Sequence, residues 1–406
     1  MKIVHLASTF LPRLGGAETT VHNLAMRQLA MGDRPCVITW WGLWAQVARH
    51  LPYPVYPLLP RTYTQNARKQ WEEGRGSRRF VEWQIDFYRR LLHGDIWHIH
   101  MAYPLGMLAV PALKRTGCRV VTTCQGDDLI RDPAFGFTLR MNSHLNEGIC
   151  CALSMSDRVT AISRLMHEEY KASGIPVSKI DDIPNAVNLS RFQSMHTNPV
   201  ETRRRLGIPE DSFLLLTVGR DHPQKGFCFI PDILRIVCQN SRKVVWLLVG
   251  SSDLQVQKRA AQLGVDAHLR MIPPQSMDVQ KNSCLNQHPS EALIELYKSA
   301  DAFIMTSLWE SFGNVIVEAM AAGLPIVSYE TAGALDIIEN GKWGLVAPVG
   351  NIEAMSEHIT KLMNQNLFCK EMILRSKTRA SEYDWAKIVK IYAECYRRAS
   401  VPNEIY

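Results

Sequence analysis

The chain of 406 residues contains no run of eighteen apolar residues, so it lacks the span that a bilayer-crossing helix needs. Its ten cysteines form no Cys-x2-Cys pair and no Cys/His ligand spacing. Cys150 and Cys151 are adjacent, which disfavours an ordinary disulfide between them. Reduced thiols of a cytosolic protein are expected, not a disulfide framework or a metal cluster. The opening Met1-Lys2-Ile3-Val4-His5-Leu6 has no signal-peptide pattern, because its apolar run is short and leads into a glycine turn. No charge sign dominates: 46 Lys and Arg face 39 Asp and Glu, a formal +7. No recognised nucleic-acid module accompanies that excess, so nucleic acid is not an expected partner. With 46% hydrophobic and 21% charged residues, the composition has no disordered or fibrous bias.

What is present is length enough for two domains. Apolar, strand-like runs alternate with helical periodicities along both halves. This predicts an α/β protein of two doubly wound, Rossmann-like sheets, each binding at the carboxyl ends of its strands. Strands are expected at 2–8, 95–100, 119–124, 156–163, 213–219, 243–250, 301–306 and 326–328. Helices are expected at 18–31, 104–116, 164–172, 254–263 and 291–299, the last capped by Ser290. A polar stretch at 193–200 is the candidate linker. The final helix, 384–398, carries Trp385, Ile388, Ile391, Tyr392, Cys395 and Tyr396 on one face.

The most informative stretch runs from Glu310 through Ser311, Phe312, Gly313, Asn314, Val315 and Glu318 to Gly323 and Pro325. A strand leads into a turn with Gly313, and a helix follows with Val315, Ala319 and Ala322 as its apolar stripe. Gly323 and Pro325 stop it. Free amides and the positive end of a helix dipole receive an anionic group, worth about 0.3–1 kcal/mol per charge. The carboxylates of Glu310 and Glu318 repel phosphate, so their sensible targets are hydroxyls. A sugar nucleotide supplies both. The plainer alternative is an acidic residue favouring the helix dipole plus a solvated one.

Other segments point the same way. Gly15-Gly16-Ala17-Glu18 follows the first strand and opens a helix, and residues lacking Cβ let backbone approach a ligand. Arg220 and Lys225, with Gly226 after the lysine, follow a strand. Arg grips a diphosphate with a fork and Lys as a point charge. His98 and His100 end a strand and are either structural or sugar-facing. Trp40 to Gly94 holds five tryptophans and nine basic residues against four acids. That composition suits contact with an anionic membrane surface, or else is a solvated basic face over core tryptophans.

The 310–325 string closely resembles the Glu-x7-Glu motif of retaining glycosyltransferases of family 4. Gly15–Glu18 resembles that family's Gly-Gly-Ala-Glu loop. Pro184-Asn185-Ala186-Val187 resembles its Pro-Asn-Gly-Val segment, and Arg220 to Gly226 its Arg-x4-Lys-Gly clamp. Gln125-Gly126-Asp127-Asp128 departs from the usual His-Gly-x-Asp: glutamine bonds a hydroxyl but takes no proton. The polar segment 271–288 also departs, where a short glycine turn is usual.

The resemblance implies a GT-B architecture along nearly the whole chain. Residues 1–192 would form an acceptor-binding domain and 200–380 a donor-binding domain, facing across a cleft. A helix over 384–406 would cross back onto the first. It implies transfer of a sugar from a nucleoside-diphosphate donor, UDP- or GDP-linked, to an acceptor hydroxyl with retention. The favoured acceptor is a lipid-linked saccharide in cell-surface polysaccharide synthesis. Glu310, Lys225 and Arg220 are the implied catalytic residues. Gly15, Gly16, Ser311, Phe312, Gly313, Asn314, Val315 and Glu318 join Arg220 and Lys225 in binding donor. His100, Gln125, Asp127 and Asn185 lie by the sugar or acceptor. Neither cofactor nor metal is expected, since two cations offset the phosphate charge. A cytoplasmic place is expected from the cysteines, and the composition of 40–94 leaves open a peripheral contact with the inner face of the membrane or a solvated basic face. Three alternatives stay open: a synthase with a soluble acceptor, a nucleotide-sugar epimerase, and a non-catalytic binding partner.

Overall fold

The computed structural model describes residues 1–13, 15–40, 49–59, 78–131, 139–240, 243–274 and 288–401. They divide into two compact units, Met1–Asn185 with Trp385–Tyr406, and Ala186–Asp384. The first change of unit thus falls at Asn185, before the boundary at 192 expected from the sequence. The stretch 193–200 is not a linker. It lies inside the second unit and joins the short helices Leu189–Ser194 and Pro199–Arg205. Its polarity serves capping: the Asn198 side chain accepts from the Glu201 amide at 3.2 Å, and Pro199 occupies the first helical turn.

The first unit is built on a seven-stranded sheet of β1 (Lys2–Ala7), β2 (Arg34–Thr39), β3 (Val55–Pro57), β4 (Ile96–His100), β5 (Val120–Thr123), β6 (Arg158–Ala161) and β7 (Ile180–Asp182). Its order is β3-β2-β1-β4-β5-β6-β7 and every pairing is parallel. The second unit holds a six-stranded sheet of β8 (Phe213–Val218), β9 (Val244–Val249), β10 (Leu269–Ile272), β11 (Ala302–Met305), β12 (Ile326–Tyr329) and β13 (Leu345–Ala347). Its order is β10-β9-β8-β11-β12-β13, also parallel throughout. Helices on both faces account for the near-continuous apolar strands, such as the fully buried Val-Val-Trp-Leu-Leu-Val of β9. In each sheet the strand order reverses once, between β1 and β4 and between β8 and β11. Ligands of such sheets bind beyond the carboxyl ends of the strands at that reversal.

The expected helix over 104–116 is shorter, Met107–Lys114. A wide turn, Ala102–Gly106, precedes it, anchored by the Ala102 amide donating to Asp128 at 2.6 Å. The last helix, Trp385–Ser400, belongs to the first unit and packs against the helix Gly16–Ala30. Its buried face is Trp385, Ile388, Val389, Tyr392, Cys395, Tyr396 and Ala399, whereas Ile391 is 39% exposed. Val389 takes the place expected for Ile391, which sits at the edge of the stripe.

A buried polar chain fixes this helix to the sheet. Gln28 Oε1 can only accept, so His5 Nε2 donates to it at 2.7 Å. Burial holds the His5 imidazole neutral, down at about 4 despite the bond to Gln28. Its Nδ1 then accepts from His100 Nε2 at 2.9 Å. Gln28 Nε2 donates to the Tyr396 hydroxyl at 3.1 Å, and that hydroxyl donates to His98 Nδ1 at 2.8 Å. His98 Nε2 reaches Thr123 Oγ1 at 2.7 Å. Burial, then the neighbouring imidazoles, hold His98 well below its ordinary range as well. At the rim, Asp181 accepts from Arg158 at 2.9 Å and pairs with Arg398 at 2.5 Å. Replacing Tyr396 by Phe strands His98 Nδ1 and Gln28 Nε2 in a dry interior, a loss of about 1–3 kcal/mol. Urea unfolding should show a lowered midpoint at unchanged slope; an unmoved midpoint would mean that the chain does not anchor the helix.

Candidate functional site

β8 and β11 are neighbours at the reversal of the second sheet, and the segments leaving their carboxyl ends are laced together. The Leu308 amide donates to Gln224 O at 2.7 Å, and Gln224 Nε2 donates to Trp309 O at 2.8 Å. Thr306 Oγ1 donates to Lys225 O at 2.9 Å. Gly226 makes this approach possible. Its φ is 61°, and a Cβ there would fall 2.1 Å from the carbonyl oxygen of Thr306.

The lacing delivers Lys225 Nζ into an ion pair with Glu310 Oε1. Ser307 Oγ donates to the same oxygen at 2.8 Å, and Glu310 is buried. Two residues that sequence placed on different phosphate- and hydroxyl-binding tasks therefore touch each other. Gly333 presses on the other side of the loop. Its amide donates to Glu310 O at 3.0 Å, and a Cβ on it would lie 2.5 Å from the Phe312 backbone nitrogen.

Three residues after Glu310, Gly313 adopts φ 104° and ψ 58° and begins the helix Asn314–Ala322. It brings no side-chain cap, so the first amides of the helix, at Gly313, Asn314 and Val315, keep the positive end of the dipole open to an anion. Ser311 is partly exposed and Phe312 is buried. The buried face of this helix is Ile316, Val317, Ala319 and Met320, which corrects the expected stripe of Val315, Ala319 and Ala322. Val315 and Ala322 remain partly exposed. Glu318, one turn in, accepts from the Tyr297 hydroxyl at 2.8 Å. Burial of the carboxyl pushes it up to about 7, against the lowering effect of that bond, although the residue as a whole keeps some exposure. Arg220 is exposed and makes no ion pair among the described residues. Its neighbour Asp221 fastens the same loop to the end of β9, accepting from the Ser252 amide at 2.8 Å and from Ser251.

The remaining predicted residues lie in the first unit. Gly15 flanks the start of the helix Gly16–Ala30 in extended conformation, and Glu18 accepts from Thr9 at 2.7 Å. His100 is buried in the histidine chain, its Nδ1 without a partner. Gln125 is partly exposed, Asp127 is exposed, and Asn185 is buried with an unpaired Oδ1. Among the described residues, His5, His98 and His100 bring three ligand-type nitrogens within 4.8 Å of one another. His5 and His98 spend both ring nitrogens on side chains, so a metal there would have to break that chain.

Asp128, to which the sequence assigns no role in the Gln125–Asp128 turn, is fully buried. It accepts from the amides of Ala102 at 2.6 Å, Gln125 at 3.0 Å and Gly126 at 3.2 Å, and so shapes the turn presenting Gln125. Burial raises its carboxyl above the usual range while those bonds oppose the rise. Tyr297 and Gly333 were also missed, because their partners Glu318 and Glu310 are distant in sequence; Ser307 was missed although it lies only three residues from Glu310. Of the segment 271–288, residues 275–287 lie outside the described residues, as do 41–48 and 60–77 of the Trp40–Gly94 segment.

The family model described as Glycosyl transferases group 1 matches residues 200–379, and that described as Glycosyltransferase Family 4 matches residues 14–191. The chain belongs to the group 1 glycosyltransferases of family 4. A D-inositol 3-phosphate glycosyltransferase of Frankia alni is 27% identical over 242 residues, 56% of this chain and 55% of that protein. The putative teichuronic acid biosynthesis glycosyltransferase TuaC of Bacillus subtilis is 25% identical over 286 residues, 70% of this chain and 65% of its own. An N-acetyl-alpha-D-glucosaminyl L-malate synthase of Bacillus anthracis is 23% identical, with 74% of each chain covered. The chain thus spans 55% to 65% of the length of the first two relatives.

Anabaena HepE in complex with UDP superposes with a TM-score of 0.76 at 18% identity, covering 97% of this chain and 99% of that one. WaaG, a glycosyltransferase involved in lipopolysaccharide biosynthesis, gives 0.71 at 17%, covering 96% and 98%. At such identities the likeness is one of fold, the two-domain α/β GT-B fold.

In this glycosyltransferase Glu318 makes stability depend on pH in a defined sense. Its carboxyl in the folded chain lies at about 7, above the ordinary 4.5, so the native state favours the protonated form. The associated stability is complete below the ordinary value and is lost as pH rises through about 7. Glu318→Gln should therefore gain thermal stability over the parent as pH goes from about 5 to about 8. A gap that stays constant across that window would show that Glu318 is not held protonated.

Proposed function

We propose that this glycosyltransferase moves a sugar from a nucleoside-diphosphate donor to an acceptor hydroxyl, with retention at the anomeric carbon. The observation that carries the reading is Lys225 held against Glu310, three residues before an uncapped helix start, on adjoining strand ends. Lys225, Arg220 and the amides at Gly313–Val315 would take the diphosphate. Glu318 would take the ribose hydroxyls and Glu310 the hydroxyls of the sugar. The donor exchanges one partner for another at Lys225, phosphate replacing carboxylate, and this frees Glu310 for the carbohydrate. As the bond from the anomeric carbon to the phosphate oxygen breaks, negative charge grows on the phosphates beside these preorganised donors. The acceptor oxygen then bonds the anomeric carbon on the same face, and its proton passes to the departing phosphate. Glu310, still accepting from Ser307, is assigned to the sugar hydroxyls in this route and not to a covalent bond with the anomeric carbon. Two cations supply the charge compensation, so the reaction is proposed to need no divalent metal.

The complexes of HepE with UDP and with UDP-glucose support a nucleotide-sugar donor. For the acceptor we favour a lipid-linked saccharide of cell-surface polysaccharide, met at the cytoplasmic face of the membrane. The roles named for TuaC and WaaG support that choice. A small soluble acceptor is the second reading, favoured by the relatives named for inositol 3-phosphate and malate.

Lys225→Ala should lower turnover about 10²- to 10³-fold, the size of losing one such electrostatic group. Full activity in that variant would remove the phosphate assignment. A thermal-shift comparison of UDP- with GDP-sugars identifies the base, since bound donor raises apparent stability.

A further inference from the structure

The helix Arg78–Leu92 has two apolar faces where a surface helix of a soluble protein needs one. Val81, Ile85, Tyr88 and Leu92 are buried against the first sheet together with Gln84, which bonds the backbone of Leu59 at 2.6 and 2.8 Å. The second face is Phe80, Trp83, Phe87 and Leu91, at helical spacings of three, four and four. These residues are 41%, 62%, 50% and 53% exposed. Their rings stack along the helix in open solvent, Phe80 on Trp83 at 6.0 Å and Trp83 on Phe87 at 6.2 Å. Leu59, whose backbone pairs with Gln84, is 43% exposed as well. A contiguous aromatic patch of this kind is costly unless something covers it.

The charge around the stripe says what covers it. Arg78, Arg79, Arg89 and Arg90 outnumber Glu82 and Asp86 on the same helix, and both acids are already paired with arginines. Arg115 joins the group through Glu82 at 3.4 Å. A second copy seated on the stripe across a twofold axis would bring two arginine rims together, and like charges oppose that. An anionic lipid surface satisfies both parts at once: aromatics enter the headgroup boundary while guanidinium groups meet lipid phosphates.

We propose that Phe80, Trp83, Phe87 and Leu91 form the element by which the first unit docks on an anionic membrane. The docking deepens the reading of a lipid-linked acceptor, but vesicle binding is measured without any acceptor, so either claim can fail alone.

The test is flotation of the full chain with vesicles of phosphatidylcholine alone and of phosphatidylcholine with phosphatidylglycerol. The parent should float with the anionic vesicles and be released by high salt. Trp83→Ala with Phe87→Ala should reduce its partition by about tenfold or more, with unchanged thermal stability and unchanged turnover on a water-soluble acceptor. Arg79→Glu with Arg90→Glu should reduce binding to anionic vesicles only. Parent-like flotation of the Trp83/Phe87 variant would overturn the proposal. So would absence of parent binding together with a dimer, seen by sedimentation, that the same variant dissolves.

Discussion

The contact between the Lys225 ammonium and the Glu310 carboxylate organises the second unit at its working end. Lys225 and Glu310 lie 85 residues apart in sequence and meet because the turns after β8 and β11 are bonded to each other. A carboxylate as buried as Glu310 needs a partner, because an unpaired charge in that position is expensive. On the proposed reading the same lysine would take an incoming phosphate, so donor binding would exchange one partner of Lys225 for another. Backbone packing enforces the geometry: Gly226 against Thr306 and Gly333 against Phe312 leave no room for a Cβ.

The first unit solves a different problem. It returns the chain's last helix to a sheet whose strands carry three buried histidines, and it keeps those histidines neutral by desolvation. Within this chain only His100 Nδ1, an acceptor in this tautomer, lacks a partner among the described residues, which is how a polar network stays tolerable in a core. Asp128 does comparable work at the next strand end, gathering backbone amides so that Gln125 and Asp127 stand where that loop turns.

Much of this was legible in the sequence because parallel strands buried on both faces read as unbroken apolar runs, and because Gly-rich turns with Lys, Arg and Glu interrupt them at fixed places. What was not legible depends on contacts across long separations. The helix Asn314–Ala322 is apolar almost all round, so periodicity alone cannot choose its inner face; packing selects Ile316, Val317 and Met320 over Val315 and Ala322. Polarity at 193–200 looked like a linker because caps and linkers use the same residues. The pairing of Lys225 with Glu310, and of Tyr297 with Glu318, leaves no local trace at all.

The most direct test of the account is a crystal structure with a nucleoside diphosphate bound. A phosphate oxygen is expected within hydrogen-bonding distance of Lys225 Nζ and of the amides at Gly313–Val315, with the Lys225–Glu310 contact opened. A diphosphate bound elsewhere, with that ion pair still closed, would contradict it.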